Sequence, residues 1–285
     1  MKQLIALKLN SDEIEDIQVL ESMQNLTLLY LCDNQITDIS ALKNLGKLQS
    51  LRLKSNKLQD ISALGSLFNL TELVLNENLI VDISPLKQLT NLSKLTFSRN
   101  LVSDISVLSH LTNLGILSMC ETKVSDIYPI SYLHKLDFLN LCCTQVIDIS
   151  ALRQLTLRKL DISKSRVVHI SALKSWSNVE INVTYNYILD LSPISHINRE
   201  FIFSYNQYQP GSGQIRLSIK LEQIFKIREK NQFFKQKQRQ FQTKRNQFQQ
   251  NRTCLDKTLE QQLNAFMVQT SRLFNLLVSD ESQFQ

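Results

Sequence analysis

LTLLYLCDNQITDISALKNLGK, residues 26–47, runs directly into LQSLRLKSNKLQDISALGSLFN at 48–69 and LTELVLNENLIVDISPLKQLTN at 70–91. Apolar residues hold positions 1, 4, 6, 11, 14, 17 and 20 of each 22-residue copy. In the first copy these are Leu26, Leu29, Leu31, Ile36, Ile39, Leu42 and Leu45; in the second they are Leu48, Leu51, Leu53, Leu58, Ile61, Leu64 and Leu67. An Asn stands ninth: Asn34, Asn56, Asn78 and Asn100. A unit this short has no way to bury its own leucines, so a strict repeat of this length means stacking.

Outward from these copies, an acidic marker keeps the same period. Asp16, Asp38, Asp60, Asp82, Asp104, Asp126 and Asp148 are spaced by 22 residues, and His169 and Asp190 follow after steps of 21. About nine repeats result, from Leu4 to about Asn198, with a degenerate tenth strand at Phe201, Ile202 and Phe203 and Asn206 in the Asn slot.

Leu-x-Leu is a short strand with both leucines inward and x outward. The Asn follows the strand where the chain turns, and its amide can satisfy backbone groups that the turn leaves unpaired. Stacked copies predict a buried Asn ladder. Thr122, Thr144 and Ser165 replace Asn in the middle repeats, which predicts an irregular stretch there. Asp-Ile-Ser opens the return segment. The Asp column reads as turn capping, and Ser40, Ser62, Ser84, Ser106, Ser150, Ser171 and Ser192 read as helix N-caps. Pro85, Pro129 and Pro193 follow at the first helical position. So few residues remain before the next strand that the convex side must carry 3₁₀ or single-turn helices. The fold class is an α/β solenoid over residues 1–206, its parallel strands lining a concave face, followed by an α-helical C-terminal tail.

Composition agrees with a repetitive backbone: only 5 Gly and 4 Pro in 285 residues. The five cysteines (Cys32, Cys120, Cys142, Cys143 and Cys254) are odd in number and lack a paired zinc spacing, so they read as reduced cytosolic thiols. The first residues are too briefly apolar for an export signal, and no apolar run is long enough to span a bilayer. No P-loop, G-x-G-x-x-G, G-x-S-x-G or H-E-x-x-H motif occurs. His110, His134 and His196 fall in convex segments and read as surface residues. No catalytic, cofactor or metal site is expected.

The pattern of leucines followed by N-x-I-x-D-I-S-x-L-x-x-L resembles the 22-residue class of leucine-rich repeats over about residues 4–206. It is similar to the repeats of bacterial internalins, of the leucine-rich regulatory subunit of protein phosphatase 1 and of diplomonad leucine-rich-repeat proteins. The resemblance implies a curved solenoid that binds a partner protein. Internalins add a secretion signal and extracellular domains, neither of which is read here. The phosphatase regulator binds through its concave face, so a regulatory subunit of a serine/threonine phosphatase is an alternative reading.

Strand positions 3, 5 and 7 point to solvent on the concave face. The residues expected to bind there are Leu28, Tyr30, Arg52, Val74, Lys94, Ile116, Phe138, Asn140, Asp161 and Asn182. Ile116, Phe138, Cys120 and Cys142 fall on adjacent strands with Cys143 beside them: an exposed interface patch, a patch covered by other chain, or a metal or redox site. Tyr185, Tyr187, Tyr205 and Tyr208 read as a cap over the last repeat, with a contact surface as the other reading.

QYQPGSGQ at 207–214 reads as a hinge, and composition shifts after it. Residues 215–252 hold eleven Lys and Arg against Glu222 and Glu229, a net of +9 in a chain of +6. The tail, 215–285, is expected to be helical and coiled-coil-like, with Phe234, Phe241 and Phe248 on a seven-residue seam that docks or self-associates. Nucleic acid, another acidic surface or a membrane surface is the alternative for that basic segment. Taken together, the residues predict a non-catalytic cytoplasmic adaptor or scaffold.

Overall fold

The computed structural model describes residues 3–197 and the backbone of residues 201–202. These residues belong to the first of two units of the chain, Met1–Ile215. The strands are β1 (Ala6–Lys8), β2 (Leu28–Tyr30), β3 (Ser50–Arg52), β4 (Glu72–Val74), β5 (Lys94–Thr96), β6 (Ile116–Ser118), β7 (Phe138–Asn140), β8 (Lys159–Asp161), β9 (Glu180–Asn182) and β10 (Phe201–Ile202). They form one parallel sheet in strict chain order. The register sets equivalent repeat positions side by side, for example Leu29↔Leu51, Leu51↔Leu73 and Leu73↔Leu95.

That register follows from the leucines. Leu29, Leu31, Ile36, Ile39, Leu42 and Leu45 are all buried. Their counterparts in the following repeats are buried too, with Leu191 partly so, and one apolar core runs through the stack. A slip of one residue would turn every Leu-x-Leu pair outward. The return segments are 3₁₀ turns, such as Ser40–Leu42, Ser62–Ser66 and Ser84–Gln88, as the short spacing requires.

The turn chemistry departs from the sequence reading in one respect. Ser40, Ser62 and Ser84 are the first residues of their turns, not the caps, and no cap residue bonds through its side chain. The Asp two residues earlier does the capping: Oδ1 of Asp38, Asp60 and Asp82 accepts the Ser N–H at 2.7–2.8 Å. The Ser hydroxyl donates back to Oδ2 of the same Asp and fixes the carboxylate. An Asx-type turn explains this, because the orphan N–H belongs to the Ser itself and only a side chain two residues back reaches it. The prolines accordingly sit at the second turn position, after Ser84, Tyr128 and Ser192.

The Asn ladder is present. Nδ2 of Asn56 donates to its own repeat at Leu53 O and to the preceding repeat at Leu31 O, while Oδ1 accepts the N–H of Ile36. Asn34, Asn78 and Asn100 repeat this double link backwards along the stack. The Thr122 and Thr144 hydroxyls instead donate to carbonyls of their own repeats, Met119 O and Leu141 O. Ser165 restores a backward bond to Leu141 O, and Asn186 resumes the full pattern with Ile162 O and the N–H of Val167. The expected irregularity does not follow: β6, β7 and β8 keep full register. Burial of their leucines holds the sheet where the amides lapse.

Candidate functional site

The sheet register assembles the concave face one row at a time. Strand position 3 gives the row Glu72, Lys94, Ile116, Phe138, Lys159 and Glu180 across β4 to β9. Its centre is apolar: Ile116 is 39% exposed, and Phe138 beside it is half-buried. Lysines flank the pair, and each is held by a carboxylate one strand further out. Lys94 Nζ lies 2.8 Å from Glu72 Oε1, and Lys159 pairs with Glu180. The row is thus acid, base, apolar, apolar, base, acid.

Towards β1 the face is cationic and aromatic. The Tyr30 ring lies between Lys8, 5.1 Å from its centroid, and Arg52, at 4.4 Å, a pair of cation–π contacts. Arg52 also reaches Glu72 Oε1 at 2.9 Å, so Glu72 joins the aromatic end to the apolar centre. Burial pushes the Glu72 carboxyl up, but hydrogen bonds from Lys94 and Ser50 and the charges of Lys94 and Arg52 outweigh it and hold the group below its ordinary value. Towards β9 the face is polar: Asn182 Nδ2 donates to Asp161 Oδ2 at 3.0 Å, and Asn140 Oδ1 accepts the N–H of Cys142.

Leu28, Tyr30, Arg52, Val74, Lys94, Ile116, Phe138, Asn140, Asp161 and Asn182 all lie on this face and all keep solvent contact. Thr96 departs from the outward reading of its strand position. It is 8% exposed, and its hydroxyl has no hydrogen-bond partner. Tyr185 and Tyr187 are 49% and 45% exposed and occupy the turn after β9, with Lys164 over the Tyr185 ring. Tyr205, Tyr208, Asn206, the hinge at 207–214 and the tail positions Phe234, Phe241 and Phe248 lie outside the described residues.

The cysteine reading needs correction. Cys120 and Cys142 form a disulfide with a Cα–Cα distance of 4.7 Å. They occupy the same repeat position, 22 residues apart, on adjacent repeats, so the parallel register alone brings them together. The spacing carried this signal: two cysteines one period apart in a stacked repeat are neighbours in space. Cys32 and Cys143 are free thiols, and burial is the main cause that raises both above the usual thiol range.

A parallel sheet in chain order with a patterned concave face defines a leucine-rich-repeat solenoid, a fold that commonly serves as a protein-binding scaffold. The family description "Leucine Rich repeats (2 copies)" matches residues 24–66 and 68–110. The chain is 32% identical to internalin C2 of Listeria monocytogenes, with a TM-score of 0.55, over 70% of this chain and 80% of that one. This chain belongs to the leucine-rich-repeat family, with repeats of the internalin type. Two further structures share the fold. The plant peptide hormone receptor RGFR1, solved in complex with RGF2, is 20% identical with a TM-score of 0.59, over 71% of this chain and 37% of that one. Toll of Drosophila, solved with Spatzle, is 24% identical with a TM-score of 0.56, over 70% of this chain and 29% of that one. No curated protein matches the sequence. Among the described residues no helix is long and apolar enough to cross a membrane.

Proposed function

We propose that this protein is a non-catalytic adaptor that recognises a partner protein on the concave face. The observation that carries the reading is the apolar pair Ile116 and Phe138, bracketed on both sides by a Lys–carboxylate pair. An apolar centre with a polar, charged rim is the anatomy of a protein recognition surface. Aromatic and Arg anchors such as Phe138, Tyr30 and Arg52 are the residue types that carry most binding energy in such surfaces. The receptors that share this fold are themselves recorded with protein or peptide partners.

The test uses the full chain as bait, with Phe138→Glu and Ile116→Glu in parallel. Both variants should melt with the parent chain and lose the parent's specific partner. A partner retained equally by both would remove the concave centre from the reading. Phosphatase activity retained with the captured partner would favour the regulatory-subunit reading. Partners that wash off with salt would favour the basic segment at 215–252 as a nucleic-acid or acidic-surface contact.

A cytoplasmic location belongs to the same reading and has its own test. Cytosolic reductants keep thiols reduced, whereas oxidising compartments preserve disulfides. The Cys120–Cys142 disulfide bears against this location, and trapping thiols in intact cells decides it: reduced Cys120 and Cys142 would keep the cytoplasmic reading. A persistent disulfide would place the protein in an oxidising compartment.

A further inference from the structure

Cys143 lies next to the Cys120–Cys142 pair in space as well as in sequence. It takes the left-handed turn conformation, φ 55°, shared by Asp33, Ser55, Glu77, Arg99 and Glu121 at the same repeat position. Its sulfur and those of Cys120 and Cys142 all lie within 4.8 Å of one another. Among the described residues, these three form the one group of at least three side chains placed to share a metal ion. A metal–thiolate bond of about 2.3 Å in a tetrahedral site places sulfurs roughly 3.8 Å apart. Reaching that spacing needs the disulfide opened and small side-chain rotations, with no movement of the strands.

The surroundings are partly shielded from solvent and mixed in charge. The site is half-buried just beyond the C-terminal ends of β6 and β7. Glu121 and Asp161 bear on Cys143 electrostatically, opposed by Lys164 and Arg99. The backbone is already committed, since the N–H of Cys120 donates to Ser98 Oγ, that of Cys142 to Asn140 Oδ1 and that of Cys143 to Ser163 O. Strand and turn geometry is therefore fixed before any ion arrives.

We propose that Cys120, Cys142 and Cys143 together bind one thiophilic divalent metal ion when the disulfide is reduced. The reduction consumes two electrons and two protons from a dithiol, which becomes a disulfide. The ion then replaces the protons of three thiols, forms three metal–sulfur bonds and keeps a fourth position open for water. In both states the repeats containing Cys120 and Cys142 are cross-linked, by S–S when oxidised and through the ion when reduced. This proposal does not rest on what the concave centre binds. Soft thiolate donors select zinc-like or softer ions over magnesium and calcium.

The experiment titrates Cd²⁺ into the full chain carrying Cys32→Ser and Cys254→Ser, which removes the other thiols. The protein is reduced with a phosphine, desalted, and followed by sulfur-to-metal charge-transfer absorption and by native mass spectrometry. One ion per reduced chain is expected, and none on the oxidised chain. Loss of an outer-shell partner weakens metal sites about 10–100-fold, so loss of a direct ligand should weaken binding at least tenfold. Cys143→Ser, at a partly exposed turn position, and Cys120→Ser should each show this, with unchanged far-ultraviolet circular dichroism. The proposal is overturned if the reduced chain takes up no ion, if Cys143→Ser binds as tightly as the parent, or if the oxidised chain binds equally well.

Discussion

Cys120 and Cys142 are bonded across the same junction at which Thr144 replaces the ladder Asn. Asn56, Asn78 and Asn100 each reach back to the preceding repeat, whereas the Thr144 hydroxyl bonds Leu141 O of its own repeat and the Ser165 hydroxyl of the next. The covalent link therefore stands at a joint that lacks the usual amide link.

This joint should be sensitive to reduction. Closing a loop of 22 residues stabilises a chain by roughly 2–4 kcal/mol, mainly through the unfolded state. Urea midpoints of the oxidised and reduced chain should differ accordingly. In a Cys120→Ala, Cys142→Ala double variant the difference should vanish; an undiminished difference would assign the effect to another cysteine.

The ladder residues are not equivalent. Asn78→Ala leaves the buried N–H of Leu58 without its acceptor, at a cost of about 1–3 kcal/mol, and takes one of two amide donors from both Leu53 O and Leu75 O. Thr122→Ala removes one bond, to Met119 O, and should cost about 1 kcal/mol. Chemical denaturation of both variants would rank them, and equal losses would refute the double-link account.

Apolar residues divide sharply by face. Leu73 is fully buried in the strand row, so Leu73→Ala should cost about 2–5 kcal/mol. Leu79 is 44% exposed at a turn, and Leu79→Ala should stay within about 0.5 kcal/mol. Thermal melting separates the two directly.

Glu72 should contribute to acid sensitivity. Its folded carboxyl titrates below the ordinary 4.5, so the unfolded chain binds its proton first as pH falls. The stabilisation is complete above 4.5 and disappears as pH drops through the lowered folded value. Glu72→Gln should therefore lose about 1 kcal/mol or less near neutrality and converge with the parent in strong acid. Urea midpoints across that range test the sign; a gap that widens on acidification would contradict it.

Much of the solenoid was legible in the sequence because its forces are local and periodic. The Leu-x-Leu spacing determines which side chains face the core, and the constant step fixes which residues become neighbours. Strand order, register, the 3₁₀ turns and the concave positions of Ile116 and Phe138 all follow. The Asp column was readable as turn capping, but not that its carboxylate would displace Ser as the cap, since that depends on where the turn begins.

What the sequence alone determined is the repeat, the core and the face each side chain takes, because burial of leucine at a fixed period admits one stacking. Only the tertiary structure decided what neighbouring side chains do with their proximity. It joined Cys120 to Cys142, set Cys143 beside them, closed Glu72 between Arg52 and Lys94, and buried Thr96 on a face read as open. Those outcomes depend on rotamers, distances and competing partners, which a periodic pattern does not specify.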